Sequence, residues 1–494
     1  MPVQLFSRTL RKKPLICYTY DIMSVMKRIA TNYITQMLGK GLGMVAGLGV
    51  IALLGRYLGD EDWAAYITAT TFLSFFGVFV DFGLTLTLTQ MISVPGADEK
   101  KITGSILGIR LTSGAIFYTL SILVVTFLPY SNEAKAAVAA GAAAFFFMSA
   151  AGSLIGVFQK HLAIRRYVVA ELISRGFYLA LTLLCVVFHL GLLPILGAMG
   201  LANGLWLIFV IVAAKPLIII RPQFDWKTWK EAFHRSAPIA ISTLFNLMYL
   251  RGDVLILSWV KPNEVGQYGA AYKVIDVATA LPTMFMGLVL PQLTQAWGEN
   301  KENFKNILQK SLDIFLLAVI PMLFGVQIVA EQLTMLIIGP KFAVAGLVLK
   351  ILVLAIVFVF ISTLYGHTIV AIHKQKIMTW GYAFTAAISV IGYIIFIPKY
   401  GMWGAAWVTC LSEFLIALLT FIVVSRVTKT LPNLTVAFKA ILASIIMYLV
   451  LLALPDLPVL AEVALGGLVY AVTIVSIGGI KIGDLKTLLP KKVG

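Results

Sequence analysis

The sequence predicts an all-α polytopic membrane protein, with about fourteen transmembrane helices arranged as two six-helix lobes around a central cavity plus two C-terminal helices. Three observations predict it. The 494 residues are 60% hydrophobic and only 12% charged, with a mean hydropathy of +0.94, where soluble chains carry roughly 25% charge. Apolar runs near the ~20 residues needed to cross ~30 Å of hydrocarbon recur from end to end. Finally, the basic residues fall on alternate loops.

The expected spans, in order, are 33–55, 63–90, 103–128, 134–158, 168–190, 193–214, 237–259, 267–297, 307–329, 344–371, 377–397, 402–425, 435–453 and 458–478. With the N-terminus in the cytoplasm, 28 of the 39 Lys and Arg fall on the cytoplasmic side and five on the outward side (Arg56, Lys135, Lys261, Lys341, Lys399). That asymmetry is the positive-inside rule. It predicts a multi-pass protein of the plasma (inner) membrane with both termini cytoplasmic, and explains the +17 formal charge without a nucleic-acid partner.

The expected organisation is a cytoplasmic segment 1–32, a first lobe 33–220 (spans one to six), a cytoplasmic amphipathic linker 221–236, a second lobe 237–425 (spans seven to twelve), two further spans within 435–478, and a cytoplasmic tail 479–494. The 1–32 segment carries Arg8, Arg11, Lys12, Lys13, Lys27 and Arg28 but lacks a compact apolar core followed by a cleavage site, so it is not read as a signal peptide. In the linker, RPQFDWKTWKEAFHRS, aromatic residues alternate with bases as in a helix lying at the membrane interface. The first span holds Gly39, Gly41, Gly43, Gly47 and Gly49, whose spacing favours close helix packing. Pro282, Pro291 and Pro321 invite kinks. GDEDWAAY and PNEVGQY each open a long span that ends in LTQ, a sign of internal repetition between halves.

Catalytic and metal chemistries find no foothold. Cys17, Cys185 and Cys410 lack CxxC spacing, the five histidines form no HxxxH pattern, and neither a P-loop nor a nucleophile elbow is present. No cofactor, no metal and no enzymatic activity are expected.

The chemistry therefore rests on charges inside the spans. Lys40, Arg110, Arg175, Arg251, Lys273 and Lys350 stand against Asp81, Glu171, Asp253, Asp276, Asp313 and Glu413. Each facing lipid at a helix centre would cost about 2.5–3.5 kcal/mol on insertion scales. They must face a wet cavity, one another, or a helix end. Glu171–Arg175, Lys273–Asp276 and Lys310–Asp313 are spaced for local pairing. Arg251 and Asp253 diverge by about 200° on an unbroken helix, so each needs a partner elsewhere, unless Gly252 lets the helix unwind. Two readings stay open: a polar chamber between lobes that grips an anion, or interhelical ion pairs that only fix the bundle.

Several stretches resemble one family. IPKYGMWGAAWVTCLSEF at 397–414 resembles a signature found late in polysaccharide flippases, preceded by IIGPKFAVAG at 337–346 and AIHKQK at 371–376. GRYLGDEDWAAY at 55–66, VDFGL at 80–84 and RGDVLILSWVKPNEVGQYGAAYKV at 251–274 are similar to its earlier motifs, so that the likeness spans roughly 27–430. The family is the O-antigen and polysaccharide flippases, in the multidrug/oligosaccharidyl-lipid/polysaccharide exporter superfamily. The resemblance implies alternating access, with a polyprenyl-pyrophosphate-linked oligosaccharide moved from the cytoplasmic to the outer leaflet, membrane lipids around it, H+ or Na+ coupling, and polysaccharide polymerase partners. The expected pyrophosphate-binding cavity residues are Lys40, Arg110, Arg175, Arg251 and Lys273, and the expected ion-coupling or counter-charge residues are Asp81, Asp253, Asp276 and Glu413. Among these, Asp81 and Asp253 match family motif positions; the others rest on the charge reasoning. The competing readings are a multidrug/cation antiporter of the same superfamily, a peptidoglycan-precursor flippase, and a non-transporting scaffold.

Overall fold

The structure is a computed structural model that describes residues 15–454 and 457–479, with the side chains of 15–30, 33, 34 and 238 outside that description. The bases Arg8, Arg11, Lys12 and Lys13, the side chains of Lys27 and Arg28, and the tail beyond 479 therefore lie outside the described residues. Among the described residues there is no strand.

The first six spans are built from α1 (Leu15–Tyr57), α2 (Asp60–Asp81), α3 (Leu84–Ile92), α4 (Glu99–Phe127), α5 (Asn132–Ser153), α6 (Ile155–Lys160), α7 (Ile164–Val187) and α8 (Leu192–Ala214). Spans seven to twelve are α9 (Trp226–Val260), α10 (Pro262–Glu299), α11 (Lys301–Ile337), a 3-10 turn (Pro340–Phe342) leading into α12 (Ala343–Ala371), α13 (Gln375–Tyr400) and α14 (Met402–Thr428). α15 (Thr435–Leu452) and α16 (Val459–Ser476) complete the bundle and pack on α11, where the Tyr470 hydroxyl donates to the Leu317 carbonyl at 2.9 Å. Fourteen of these segments are long and apolar enough to cross a membrane, one for each expected span. The chain is a multi-pass membrane protein.

The helix breaks fall where no proline stands. Pro282, Pro291 and Pro321 sit inside continuous α10 and α11, their missing donors absorbed without ending the helix. The second span instead divides between α2 and α3, where Phe82 and Gly83 both take positive φ (43° and 74°). Asp81 stabilises that break by accepting from the Gly83 amide at 3.1 Å and the Thr85 hydroxyl at 2.7 Å. Gly83 is required twice over: it adopts a left-handed backbone, and a Cβ there would fall 2.9 Å from Ile239. The fourth span divides likewise at Leu154, between α5 and α6.

The linker also differs from expectation. It is not a separate interfacial helix: Asp225 caps α9, which then runs unbroken through span seven. Residues 221–225 lie against α4, where the Gln223 amide donates to the Gly104 carbonyl at 2.9 Å and Lys101 pairs with Asp225 at 2.9 Å. Phe224 and Trp226 are both 74% exposed, as interfacial anchors would be.

The two lobes are fastened at the end away from the linker. Trp63 donates its indole N–H to the Gly266 carbonyl at 2.9 Å. Arg56 donates to the carbonyls of Leu336 (2.5 Å) and Ile337 (3.2 Å), which end α11 without helical partners. Lys341 pairs with Asp60 at 3.0 Å. The two turns GDEDWAAY and PNEVGQY thus meet face to face.

Candidate substrate passage

A cleft of about 370 Å³ opens between the lobes, lined by Gly43 and Gly47 of α1, Tyr66 of α2, Arg175 of α7, and Lys273 and Asp276 of α10. The small residues of α1 serve two ends. A Cβ on Gly39 would fall 2.2 Å from Val168, so this glycine lets α1 close on α7. A Cβ on Gly43 would fall 3.0 Å from Arg175 Nε, so that glycine leaves room for a guanidinium against the α1 backbone. Arg175 lies there with Nη1 3.4 Å from the Gly43 carbonyl and Nη2 2.7 Å from Glu171. Lys40, one turn before Gly43 on the same face, is exposed. The Glu171–Arg175 pair forms as the spacing predicts.

The Lys273–Asp276 expectation is replaced by a longer-range pair. Asp276 accepts from Arg251 of α9, whose guanidinium also lies 4.9 Å from the centroid of the Tyr272 ring. Lys273 remains half-buried in the cleft wall beside Asp276 and Arg175. Asp313, expected to pair with Lys310, accepts instead from Gln309 at 2.8 Å.

A second cavity, about 460 Å³, lies inside the lobe of spans seven to twelve. Arg251 and Asp276 form part of its wall, and Asp276 lines both cavities. Farther in are Tyr249, Tyr382, Asn246, His367, Thr409 and Glu413. Glu413 is 3% exposed and its Oε1 has no hydrogen-bond partner.

Three expected site residues, Arg110, Asp81 and Asp253, are placed away from both cavities. Arg110 is 3% exposed and held inside the first lobe by Asp81, by the Thr85 hydroxyl, and by Ser149 at 2.9 Å. It clamps the α2–α3 break rather than facing the cleft, because Asp81, drawn in as the cap of that break, supplies its counter-charge from within the lobe. Asp253 is wholly buried behind the second cavity, where one carboxylate oxygen accepts from the hydroxyls of Tyr268 (2.6 Å), Tyr272 (2.5 Å) and Thr409 (3.0 Å), and the other from the Val254 amide at 2.7 Å. Four donors satisfy the anion without a base. α9 runs straight through Gly252, so no unwinding is needed. Arg251 and Asp253 do diverge, each to its own partner.

Folding therefore sorts charges that nearly cancel in sequence. Asp81 and Arg110 neutralise each other within the first lobe, while Asp253 and Glu413 withdraw into the second. The cleft wall keeps Arg175 and Lys273 beside Asp276, with Glu171 paired to Arg175, Arg251 reaching Asp276 from the adjoining cavity, and Lys40 exposed on α1 one turn before Gly43. Bases in a gap between otherwise apolar lobes can replace the hydration of a polyanion.

The sequence reading missed the tyrosine and threonine donors around Asp253 and the aromatic wall of the second cavity. One signal was present: Tyr268 and Tyr272 are four apart, and Thr409 and Glu413 likewise, so each pair shares a helix face.

Two helical lobes joined by a short non-helical connection, with a polar cleft between them, define a membrane transporter fold. The chain belongs to the polysaccharide biosynthesis protein family, whose match covers residues 29–297, just over half of it. It is 22% identical over 393 residues to the probable low-salt glycan biosynthesis flippase Agl15 of Haloferax volcanii, covering 77% of this chain and 79% of that one. Its fold is similar to that of the lipid II flippase MurJ in an inward closed conformation, with a TM-score of 0.76 at 17% identity over 91% of this chain and 99% of that one. An inward-facing multidrug resistance MATE family transporter of the MOP superfamily is also similar, with a TM-score of 0.64 at 13% identity over 78% and 94%.

Proposed function

We propose that this protein is a flippase that carries a polyprenyl-pyrophosphate-linked oligosaccharide from the cytoplasmic to the outer leaflet by alternating access, in the synthesis of a cell-surface polysaccharide. The observation that carries the reading is the gathering of bases at the inter-lobe cleft: Arg175 and Lys273 in its wall, Arg251 on the Asp276 that the two cavities share, and Lys40 exposed one turn before Gly43. Lys40, Arg175, Arg251 and Lys273 would take the pyrophosphate, and Glu171 and Asp276 would hold two of those bases in place when the cleft is empty. Family membership and the Agl15 relative support the same substrate class. The alternative of a cation exporter fits less well, since bases gathered at the cleft repel such cargo.

In this reading both termini and the 221–236 linker lie in the cytoplasm, as the 28-to-five distribution of bases favours. The fastened end is then the outer one, and the cleft accepts its substrate from the cytoplasmic leaflet. The lipid tail stays in the bilayer while its charged head passes between the lobes. Return of the empty carrier would be coupled to H+ or Na+. Glu413 is the carboxylate suited to that exchange because one of its oxygens is unpartnered, whereas Asp253 is already satisfied and Asp81 is held by Arg110. Polymerase partners would act after release.

The test uses purified protein in vesicles, scoring translocation of a fluorescent polyprenyl-pyrophosphate oligosaccharide beside cationic dyes. The expected result is movement of the lipid-linked sugar, inhibited by bare polyprenyl pyrophosphate, with the dyes left behind. Transport of dyes alone would overturn the reading in favour of an antiporter.

A further inference from the structure

The cavity inside the second lobe has a chemistry that the cleft lacks. One wall is a parallel aromatic pair, Tyr249 and Tyr382, with ring centroids 6.4 Å apart and planes 11° from parallel. Around it, hydroxyls spend their protons on local acceptors. Ser362 donates to the Val359 carbonyl at 3.1 Å, Thr279 to Asp276 at 3.3 Å, Thr283 to Thr279 at 3.5 Å, and Thr409 to the Asp253 carboxylate at 3.0 Å. All four residues line the cavity, and a hydroxyl whose proton is committed can still accept. His367 engages the Thr363 carbonyl through Nδ1 at 2.8 Å, which leaves Nε2 as an acceptor in the neutral ring. Glu413, buried and with Oε1 unpartnered, adds a carboxyl group with hydrogen-bonding capacity to spare.

Such a chamber asks for a ligand rich in hydroxyls, with flat apolar faces. A pyrophosphate would find only Arg251, already paired with Asp276, as a permanent base in this wall, and an isoprenoid chain leaves every lone pair unmet. A saccharide meets both demands: its hydroxyls donate, and its C–H faces pack on aromatic rings. The volume of about 460 Å³ is that of an ordinary small-molecule site, within the roughly 300–1,000 Å³ typical of them. Arg251 and Asp276 connect it to the cleft. We propose that this chamber holds the oligosaccharide's sugars next to the pyrophosphate, so that the second lobe reads the glycan while the cleft reads the phosphates. This rests on the flippase reading above and assigns Tyr382, Glu413 and His367 as specificity-determining residues.

The test is equilibrium binding to the full chain in lipid nanodiscs, comparing lipid-linked oligosaccharide extracted from the cells of origin with bare polyprenyl pyrophosphate of the same chain length. Wild type should bind the sugar-bearing lipid at least about tenfold more tightly, the scale on which a pocket discriminates by a few contacts. Tyr382→Ala should remove that preference while leaving affinity for the bare carrier unchanged, and Tyr382→Phe should keep it. Lys273→Gln should weaken both lipids alike. Affinity for the bare carrier reports folding, and Tyr382 is half-buried, so its truncation opens no sealed core position. Equal binding of both lipids by wild type overturns the proposal, as does a Tyr382→Ala variant that weakens both equally or neither. Binding of neither lipid by wild type would instead sink the flippase reading itself.

Discussion

Lys273 and Arg110 are both bases within apolar spans, yet the structure gives them opposite tasks, and substitution should separate these. Arg110 is sealed in the first lobe with Asp81, whose side chain is 37% exposed. Removing one partner of a fully buried pair costs about 3–5 kcal/mol; with Asp81 in part hydrated, Arg110→Gln should cost on the order of 2 kcal/mol. Its thermal unfolding in detergent should shift down clearly, and the double variant with Asp81→Asn should recover part of the loss. Lys273 has no such role. Lys273→Gln should leave Tm close to wild type but slow transport of the pyrophosphate lipid by about tenfold, the worth of one charge-assisted hydrogen bond. Equal losses of stability in the two variants would contradict this division. The distinction was not legible in the sequence, since both are lone bases among apolar neighbours. What separates them is Asp81, which caps a helix break and brings a carboxylate inside the lobe.

At the scale of elements, hydropathy located every span, because crossing hydrocarbon demands length and apolarity that no other constraint imitates. Spacing along a helix identified Glu171–Arg175, but it could not foresee Arg251 reaching α10, since partners between helices depend on packing. The Asp81–Phe82–Gly83 run carried a readable break signal, an acceptor followed by a residue free to turn left-handed, while Pro282, Pro291 and Pro321 lie inside helices that continue past them. α9 adds a testable consequence. Its cap, Asp225, lies outside the membrane, where the Thr228 hydroxyl at 2.5 Å and then Lys101 hold its pKa down at about 2, against an ordinary 3.8. A carboxylate depressed by folding contributes stability in full above its unfolded value and loses it as pH falls through the folded one. Protection of the α9 N-terminal amides from hydrogen exchange should therefore hold from neutral pH down to about 3.8 and fade towards about 2. Asp225→Asn should flatten that dependence; a pH profile unaltered by the substitution would show that the cap is not responsible.

For the whole molecule, the central question is whether the fastened end must open. Every tie there crosses between lobes: Trp63 to Gly266, Arg56 to the end of α11, Lys341 to Asp60. Each polar tie is of modest strength, about 0.5–3 kcal/mol per bond. They flank an apolar seam, where Trp63 meets the Phe342 ring at 5.3 Å and Leu54, Leu58 and Ile67 share one core with Val265, Tyr268 and Ile338, so opening this end must part both. The ties join the first two spans to the start of α10, the end of α11 and the turn before α12, so separating the halves breaks them together. Ile67 and Gly269 offer a lock beside them. A Cβ on Gly269 would lie 2.5 Å from Ile67 Cγ2 and 2.8 Å from its Cγ1, which places the two Cβ positions near the ~3.5–4.5 Å a disulfide spans. Ile67→Cys with Gly269→Cys should cross-link on oxidation, halt transport of the lipid-linked oligosaccharide, and regain it on reduction, while each single variant stays active in oxidant. Binding of substrate from the cleft's open side should persist in the locked protein, since the bases lie away from the bridge. If the oxidised pair transports at the wild-type rate, the lobes need not part here. The cleft would then have to deliver its cargo by another route, and alternation between its two ends would be wrong for this protein.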